Sequence, residues 1–242
     1  MKKARTLLIV FDNEISSFEI PAFRSAVAEK AGFEHDAFHN HDPKGGMIYR
    51  YPSIQYKRVR GKSAIFCIDE GVDALSAFFD RPSRSLSISG RTFDMKIHRM
   101  YLDEVIFQVW TQSFSYQLHR WIGLNPDNLT TYNQLKARGD ESGIKSLLSR
   151  VLIGNMIAMA KGIHWDVDKK IELSVTEIVR VAKVSMKGVS LLGFDLNFTC
   201  NVFLPPNIGL GKSNSLGFGV VRPLSSQKIQ TSIKSDYDDS NA

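Results

Sequence analysis

Two histidines close together in the first fifth of the chain are the residues best suited to proton transfer. His39 and His41 are separated by one residue, in the run Phe38-His-Asn-His41. An imidazole, with an unperturbed pKa of about 6.5, can act as acid or base near neutral pH. In an extended segment both rings would lie on one side, about 7 Å apart, a spacing that could bracket a phosphate. A solvated surface pair, or a metal site that also uses His35, are the alternatives.

A glycine-rich run near the C-terminus is the second candidate site, Gly209-Leu-Gly-Lys-Ser-Asn-Ser-Leu-Gly-Phe-Gly219. Glycine reaches positive φ, so the amides of such a loop can approach a ligand and form a concavity for an anion such as phosphate. A lysine in the run could add charge, and two serines could add hydroxyl donors. The candidate ligand-binding residues are Gly209, Gly211, Lys212, Ser213, Ser215, Gly217 and Gly219.

This glycine-rich run departs from two common nucleotide-binding motifs. The Walker phosphate loop is matched at its end by Gly211-Lys-Ser213, but its required first glycine falls on Pro206. The dinucleotide fingerprint opens a helix inside a βαβ unit, and too little chain follows the last glycine for that. A long hairpin loop remains the structural alternative, and a nucleotide-binding enzyme that uses Gly211-Lys-Ser213 remains a functional one.

Length and composition indicate a globular, moderately basic chain. Its 242 residues suit one large domain or two small ones, and a net charge of +6 favours a polyanionic partner. Cys67 and Cys200 lie in apolar strand patterns, which is typical of buried free thiols in a cytoplasmic protein. The sequence contains no Cys-x-x-Cys pair, so we do not expect a structural zinc site. The apolar run Val151–Ala160 is too short to span a bilayer, so we expect no membrane association.

The first ninety residues alternate between strand and helix patterns. Pro21 suits a first helical turn, Gly32 suits a helix end, and Asp69 could cap a second helix. The predicted order is β-α-β-β-α-β, the ferredoxin-like arrangement, over residues 1–90. Its predicted strands are Arg5–Phe11, Tyr51–Lys57, Ser63–Ile68 and Ser83–Ile88.

Residues 91–223 predict a second sheet-plus-helix domain that is less regular than the first. A strongly periodic helix ends near Gly162, and Leu192–Val202 alternates apolar and polar residues with period two. The expected fold is α+β, with two tandem ferredoxin-like (RRM-like, βαββαβ) domains. The second domain is degenerate and carries the glycine-rich loop before its last strand. Residues 224–242 are polar and predict a disordered tail.

Two such halves, with a G-x-G-x₅-G-x-G loop before the final strand, resemble the CRISPR repeat-processing endoribonucleases, the Cas six family. Three runs resemble the b subtype in particular, Phe38–His41, Tyr49–Lys57 and Leu152–Gly162. The letters His-Asn-His are not the metal-dependent HNH nuclease motif, because that motif spreads its three residues over a ββα-metal unit.

The resemblance implies a metal-independent endoribonuclease without cofactors that cuts CRISPR repeat RNA once per repeat. The 2′-hydroxyl attacks the adjacent phosphate and the 5′ oxygen leaves, giving a 2′,3′-cyclic phosphate or 3′-phosphate end and a 5′-hydroxyl end. It also implies a cytoplasmic protein, and it leaves open a homodimer or association with other subunits of a type I-B complex. The alternative is a non-catalytic RNA-binding scaffold subunit.

The resemblance also implies roles for individual residues. His39 and His41 come first as catalytic groups, followed by Tyr49 and Lys30, with Tyr51 and Tyr56 as alternatives in the tyrosine role. From their charge alone, Arg50, Lys57, Arg58 and Arg60 are candidate RNA contacts. A helix-end cation is the alternative for Lys30, and a solvated hairpin tip is the alternative for the two later arginines. Packing or surface positions are expected for His98, His119 and His164.

Overall fold

The computed structural model describes residues 1–32, 36–38, 51–81, 85–186 and 188–224. The predicted tail beyond residue 224 therefore lies outside the described residues. The helices are α1 (Ile20–Ala31), α2 (Glu70–Ala74), α3 (Ser76–Phe79), α4 (Pro126–Ala137) and α5 (Glu141–Gly162). The strands are β1 (Lys2–Glu14), β2 (Ile54–Val59), β3 (Lys62–Ile68), β4 (Ser85–Ile88), β5 (Arg91–Asp94), β6 (Ile97–Phe107), β7 (Val109–Trp121), β8 (Leu173–Met186), β9 (Val189–Val202) and β10 (Val220–Pro223).

The N-terminal half is an antiparallel sheet of order β2-β3-β1-β6 with α1 on one face. Alternate residues of β1 point to that face, where Ile9 and Phe11 are fully buried against Phe23 of the helix. As the sequence predicts, α1 has a proline in its first turn, and it ends at Gly32, whose φ is +106°. The order is that of a ferredoxin-like sheet, so the predicted fold class is confirmed for this half.

The fourth strand of this sheet is not the predicted one. The described residues of the predicted strand Ser83–Ile88 are Ser85–Ile88, which form β4 and pair with β5 in a separate hairpin. The place beside β1 belongs to β6, which pairs with it from Lys2 opposite Phe107 to Phe11 opposite Ile97. The longer strand can match most of β1 and the short one cannot. The first sheet therefore includes β6 and extends to Phe107.

The C-terminal half is a second antiparallel sheet, of order β10-β7-β9-β8. The period-two pattern of β9 is confirmed, because Phe194, Leu196 and Phe198 are fully buried beneath α5 while Asp195 and Asn197 face the other side. The long predicted helix is confirmed as α5. α4 is not among the predicted helices, although Asn125 caps its first turn and a proline follows it.

The last crossover of this half contains no helix among its described residues. Residues 203–219 run from β9 to β10 in the position where a regular ferredoxin-like domain would place its second helix. This replacement is the degeneracy that the sequence predicts, and it leaves the glycine-rich run as the final connection of the domain. α5 is long and apolar enough by length and composition to cross a membrane, which is weak evidence since core helices pass the same test. One side of α5, including Leu148, Leu152 and Met156, lies in the core of this half.

Candidate active site

The glycine loop, residues 209–219, joins the edges of the two sheets. At its start Gly209 forms an antiparallel bridge with Val220, and further along Leu216 forms a parallel bridge with Tyr56 of β2. The amide of Tyr56 donates to the carbonyl oxygen of Ser215 at 2.9 Å. The loop therefore extends the β2 edge of the first sheet, while its end continues into β10 of the second.

The peptide of Gly209 is held by a pair of side chains from just before and within β2. Its amide donates to Gln55 Oε1 at 2.9 Å, and its carbonyl accepts from the Tyr51 hydroxyl at 2.8 Å. Gln55 Nε2 in turn donates to the Tyr51 hydroxyl oxygen at 2.9 Å. Burial raises the pKa of Tyr51, so its hydroxyl keeps its proton and remains a donor. Tyr51 is therefore an anchor of the loop.

Tyr56, the other alternative to Tyr49, is also occupied within the protein. It is fully buried, its hydroxyl donates to the carbonyl oxygen of Phe38 at 3.2 Å, and burial raises its pKa. The phenol hydroxyl lies in the core and its proton is already donated to a protein carbonyl oxygen. It is therefore not placed to exchange a proton with a substrate. Tyr51 and Tyr56, the described tyrosines among the catalytic candidates, therefore both have structural roles.

Lys57, predicted as an RNA contact, is buried instead. Its side chain is 1% exposed, and its Nζ donates to the carbonyl oxygen of Asn214 in the glycine loop at 2.8 Å. Burial lowers its pKa to about 7, because an ammonium group loses hydration there. The loop explains this burial, because it covers this end of β2. Lys57 therefore supports the loop from below.

Close packing explains the glycines at least as well as ligand approach does. A Cβ at Gly219, where φ is +59°, would overlap the carbonyl oxygen of Leu210, and a Cβ at Gly209 would lie 2.8 Å from Lys57 Nζ. Gly211 and Gly217 also have positive φ and face Trp121 and Ile20, respectively.

Several amides of the loop are already used inside the protein. The amides of Leu210, Lys212 and Gly219 donate to protein carbonyl oxygens, and the Gly209 amide donates to Gln55. The anion-binding concavity that the sequence predicts can therefore draw on only part of the loop.

The polar side chains of the loop occupy different environments. Lys212 is exposed overall and donates through Nζ to the carbonyl oxygen of Leu124 at 3.0 Å. Ser213 has φ +54°, and both Ser213 and Ser215 are half-buried at the surface of the loop. These three side chains lie where a ligand that reaches the loop could contact them.

The other predicted cations lie around the first sheet. Lys30 is half-buried on α1 with its Nζ 4.7 Å from the centre of the Phe78 ring. Arg58 is exposed and donates through Nε to the carbonyl oxygen of Ile15 at 2.6 Å. Arg60 is exposed at the tip of the β2–β3 hairpin, with φ +49°. Arg58 and Arg60 therefore remain at the surface beside the strand that carries the loop.

His39, His41, Tyr49 and Arg50 lie outside the described residues. Phe38 and Tyr51, the described residues on either side of that segment, both make hydrogen bonds at the site. Phe38 is buried and accepts the Tyr56 hydrogen bond, and Tyr51 donates to Gly209. His39 follows Phe38 directly in the sequence.

A groove of about 560 Å³ runs along the face of the first sheet that points away from α1. Its floor includes Leu8 and Phe66, and one wall is the segment 203–207 that leads to the glycine loop. The positively charged residues Arg60, Lys62 and Arg99 lie along it, together with His98 and Tyr101. Among the residues that the structure describes, no group of three or more His, Cys, Asp or Glu side chains is placed to hold a metal ion.

The two sheets and the glycine loop anchored on β2 define a protein of two tandem ferredoxin-like domains. The final connection of its second domain is glycine-rich. The Cas6b N-terminal domain family matches residues 2–106, and the Cas6b C-terminal domain family matches residues 108–224. The chain therefore belongs to the Cas6b family, which confirms the resemblance seen in the sequence. The two matches meet where β6 ends and β7 begins.

Solved structures agree in fold over most of the chain. A crystal structure of Cas6b is 25% identical, covers 92% of this chain and 100% of its own, and has a TM-score of 0.82. A crystal structure of the CRISPR RNA processing endoribonuclease Cas6b is 22% identical at the same coverage, with a TM-score of 0.68, and supports the fold. An uncharacterized protein of Methanocaldococcus jannaschii is 36% identical over 101 residues, 42% of this chain and 65% of that protein. The matched segment thus spans slightly less than two thirds of that relative.

Replacing Gly219 by alanine should unfold the loop junction. The new Cβ would overlap the backbone oxygen of Leu210, which cannot move aside as a flexible side chain could, so we expect a loss of about 2–3 kcal/mol. Gly154→Ala is the matched control, because it lies inside α5 with no atom within 4 Å of the added group. That control should gain roughly 0.5–1 kcal/mol from helix propensity. Thermal unfolding of both variants measures the difference, and equal melting temperatures would contradict the packing argument.

The buried lysine should make stability depend on pH. Its folded pKa of about 7 lies below the unfolded value of 10.5, so between these values the unfolded chain binds more protons and stability rises with pH. We expect Lys57→Met to reduce the rise in melting temperature between about pH 7 and pH 9. Lys212→Met, at an exposed position, should keep the wild-type slope. A slope in Lys57→Met as steep as in the wild type would be evidence that the lysine is not desolvated.

Proposed function

We propose that this Cas6b-family protein is a metal-independent endoribonuclease that cuts CRISPR repeat RNA to release mature guide RNA. The observation that carries the proposal is the anchoring of the glycine loop on β2. The hydrogen bonds of Tyr51 and Tyr56 bring Gly209 and Phe38 to the same strand. Phe38 and Tyr51 flank the histidine-bearing segment. The proposal places the candidate acid and base groups of this segment beside the loop that would hold the substrate backbone.

The proposed reaction is an internal transesterification. One imidazole, of His39 or His41, accepts the proton of the 2′-hydroxyl as its oxygen bonds to phosphorus. The other donates a proton to the 5′ oxygen as the P–O5′ bond breaks. The upstream product carries a 2′,3′-cyclic phosphate and the downstream product a 5′-hydroxyl. Histidine suits both steps because its ordinary pKa is near neutrality.

Charge on the non-bridging oxygens of the transition state needs stabilisation from positive or hydrogen-bonding groups. Lys30 and Tyr49 are the proposed contributors, from the family resemblance. The part of the glycine loop still available for ligands, with Lys212, Ser213 and Ser215, would hold the neighbouring phosphates. Arg50, Arg58 and Arg60 are proposed as further phosphate contacts, and Lys57 is not, because it is buried beneath the loop.

The RNA approaching this site has a basic route along the groove of the first sheet. Arg60 and Arg99 offer positive charge to phosphates, and Tyr101, which is 46% exposed, offers a ring on which an unpaired base can stack. The repeat RNA is therefore the proposed partner, and the cytoplasm is its proposed compartment. Association with other type I-B subunits and a homodimer stay predictions of the family resemblance.

Cleavage of labelled repeat RNA in EDTA tests the reaction. We expect a single cut per repeat, an upstream fragment whose mass corresponds to a cyclic phosphate or its opened 3′-phosphate, and a downstream fragment that accepts a 5′-phosphate from a kinase directly. A strict requirement for added magnesium would reject the mechanism. Binding of repeat RNA without any cut would instead indicate the scaffold role.

The histidine assignment predicts a separation of binding from cutting. His39→Ala and His41→Ala should each lower the cleavage rate at saturating RNA by roughly 10²–10⁴-fold while the affinity for RNA stays near the wild-type value. His164→Ala, at the end of α5, is the control and should cut normally. Full activity in the His39→Ala, His41→Ala double variant would remove both residues from the mechanism.

A pair of tyrosine variants distinguishes chemistry from anchoring. Tyr49→Phe should slow cleavage at saturating RNA without lowering the melting temperature. Tyr51→Phe should lower stability by about 1–3 kcal/mol, because Gly209 and Gln55 lose a buried partner. The reverse result, a stable Tyr51→Phe protein with slow chemistry, would move the catalytic role to Tyr51.

A further inference from the structure

A bulge in β7 places two basic side chains together on the open face of the second sheet, the face opposite α4 and α5. Leu118 pairs with Leu196 and Trp121 pairs with Phe194, so two residues of β7 lie opposite the single residue Asp195. Those two residues are His119 and Arg120. A bulge of this kind breaks the ladder locally and redirects the side chains that it carries.

The Asp195 carboxylate holds this bulge in place. Its Oδ1 accepts the backbone amide of Arg120 at 2.6 Å and lies 3.0 Å from His119 Nδ1. Arg120 has φ +51°, a conformation that costs energy for a residue with a side chain and that clusters at functional positions. The Asp195 side chain is only 14% exposed, so its charge acts mainly on its protein neighbours.

Three arginines lie close enough to His119 to act on its charge, and they add positive charge to the cluster. Arg120 places its guanidinium 4.3 Å from the centre of the Phe218 ring, Arg180 lies opposite Asp195 in the register of β8 and β9, and Arg222 lies on β10. Burial lowers the pKa of His119, Asp195 raises it, and the three arginines lower it further. Three guanidinium groups against one carboxylate is the charge pattern of a site that awaits an anion.

The same cluster is continuous with the glycine loop. Phe218, on which Arg120 stacks, belongs to the loop, and the Gly219 amide donates to the carbonyl oxygen of Arg120 at 3.2 Å. Val220, the first residue of β10, pairs with His119. A chain of phosphates that passes the loop would therefore meet these side chains next.

We propose that His119, Arg120, Arg180 and Arg222 form a second phosphate-binding site, which holds the single-stranded backbone of the RNA next to the C-terminal end of the glycine loop. The site rests on the proposed function for the identity of its ligand. Arg120 and the two flanking arginines donate to phosphate oxygens, and Asp195 orients the cluster without contacting the RNA. His119 uses Nδ1 toward Asp195, which leaves Nε2 for the phosphate.

The test is RNA binding by the double variant Arg180→Gln, Arg222→Gln. Both side chains are exposed, so the fold should survive. Lys136→Gln, Arg138→Gln is the matched control, with the same loss of charge on exposed residues of α4 and the following turn, on the other side of the sheet. The probes are labelled oligouridylate and labelled repeat RNA, with Kd measured over a range of salt concentrations.

We expect the Kd of the arginine variant for both probes to rise by roughly three- to tenfold per arginine. The slope of log K against log salt should become shallower by about 0.7 for each phosphate that the variant no longer neutralises. The control variant should change the Kd and the salt slope only by the small, nonspecific effect of losing two positive charges, and its cleavage rate should match the wild type. Kd values and slopes equal to those of the control would overturn the second site.

A proton-linkage measurement tests the part played by His119. A phosphate beside Nε2 favours the protonated ring, so wild-type affinity for oligouridylate should strengthen as the pH falls from about 8 to about 6. His119→Gln should lose part of that increase. The same increase in His119→Gln as in the wild type contradicts the proposed contact.

These outcomes distinguish the two proposals. A wild-type protein that binds RNA but never cuts it defeats the endoribonuclease proposal, and the arginine variant still tests the second site through binding alone. A wild-type protein that cuts repeat RNA while the arginine variant behaves like the control defeats only the second site.

Discussion

The hydrogen bonds between the glycine loop and the β2 segment are the constraint on which the rest of the molecule depends. Gln55 and Tyr51 hold both sides of the Gly209 peptide, and Tyr56 pairs with the loop further along. Apolar contacts have a strength that follows the buried area and has no direction, whereas these hydrogen bonds require a particular geometry. Directional bonds set the position of the loop relative to β2 of the first domain.

Fixing the loop on β2 has an energetic cost, and much of it comes from the burial of one charged side chain. Lys57 is held in an apolar setting where its charge is poorly solvated, and its compensation is a hydrogen bond to the loop carbonyl of Asn214. The glycines have a related cost, since each gives up backbone freedom on folding to allow contacts that a Cβ would block. Locally unfavourable interactions of this kind are common near active sites, because function requires side-chain placements that stability alone would not select.

Local patterns predicted most of the elements, and non-local pairing accounts for most of the errors. The alternation in β9 and the periodicity of α5 are properties of single segments, and both were confirmed. The pairing of β1 with β6, and not with Ser83–Ile88, depends on the relative lengths of segments that are far apart in the chain. Patterns within single segments could not predict this pairing. The burial of Lys57 is equally non-local, because the covering residue, Asn214, is 157 positions away. The start of α4, by contrast, had a readable local signal at Asn125.

The long reach of the Tyr51–Gly209 hydrogen bond has a consequence for biosynthesis. The two residues are 158 positions apart, so they cannot meet until the ribosome has released the chain well beyond the second sheet's longest strands. A nascent chain can assemble the first sheet only after β6 emerges, and it cannot dock the loop until β10 follows. During translation the first sheet therefore stands with an uncovered β2 edge, a stretch that chaperones or neighbouring nascent chains could occupy before the native partner arrives.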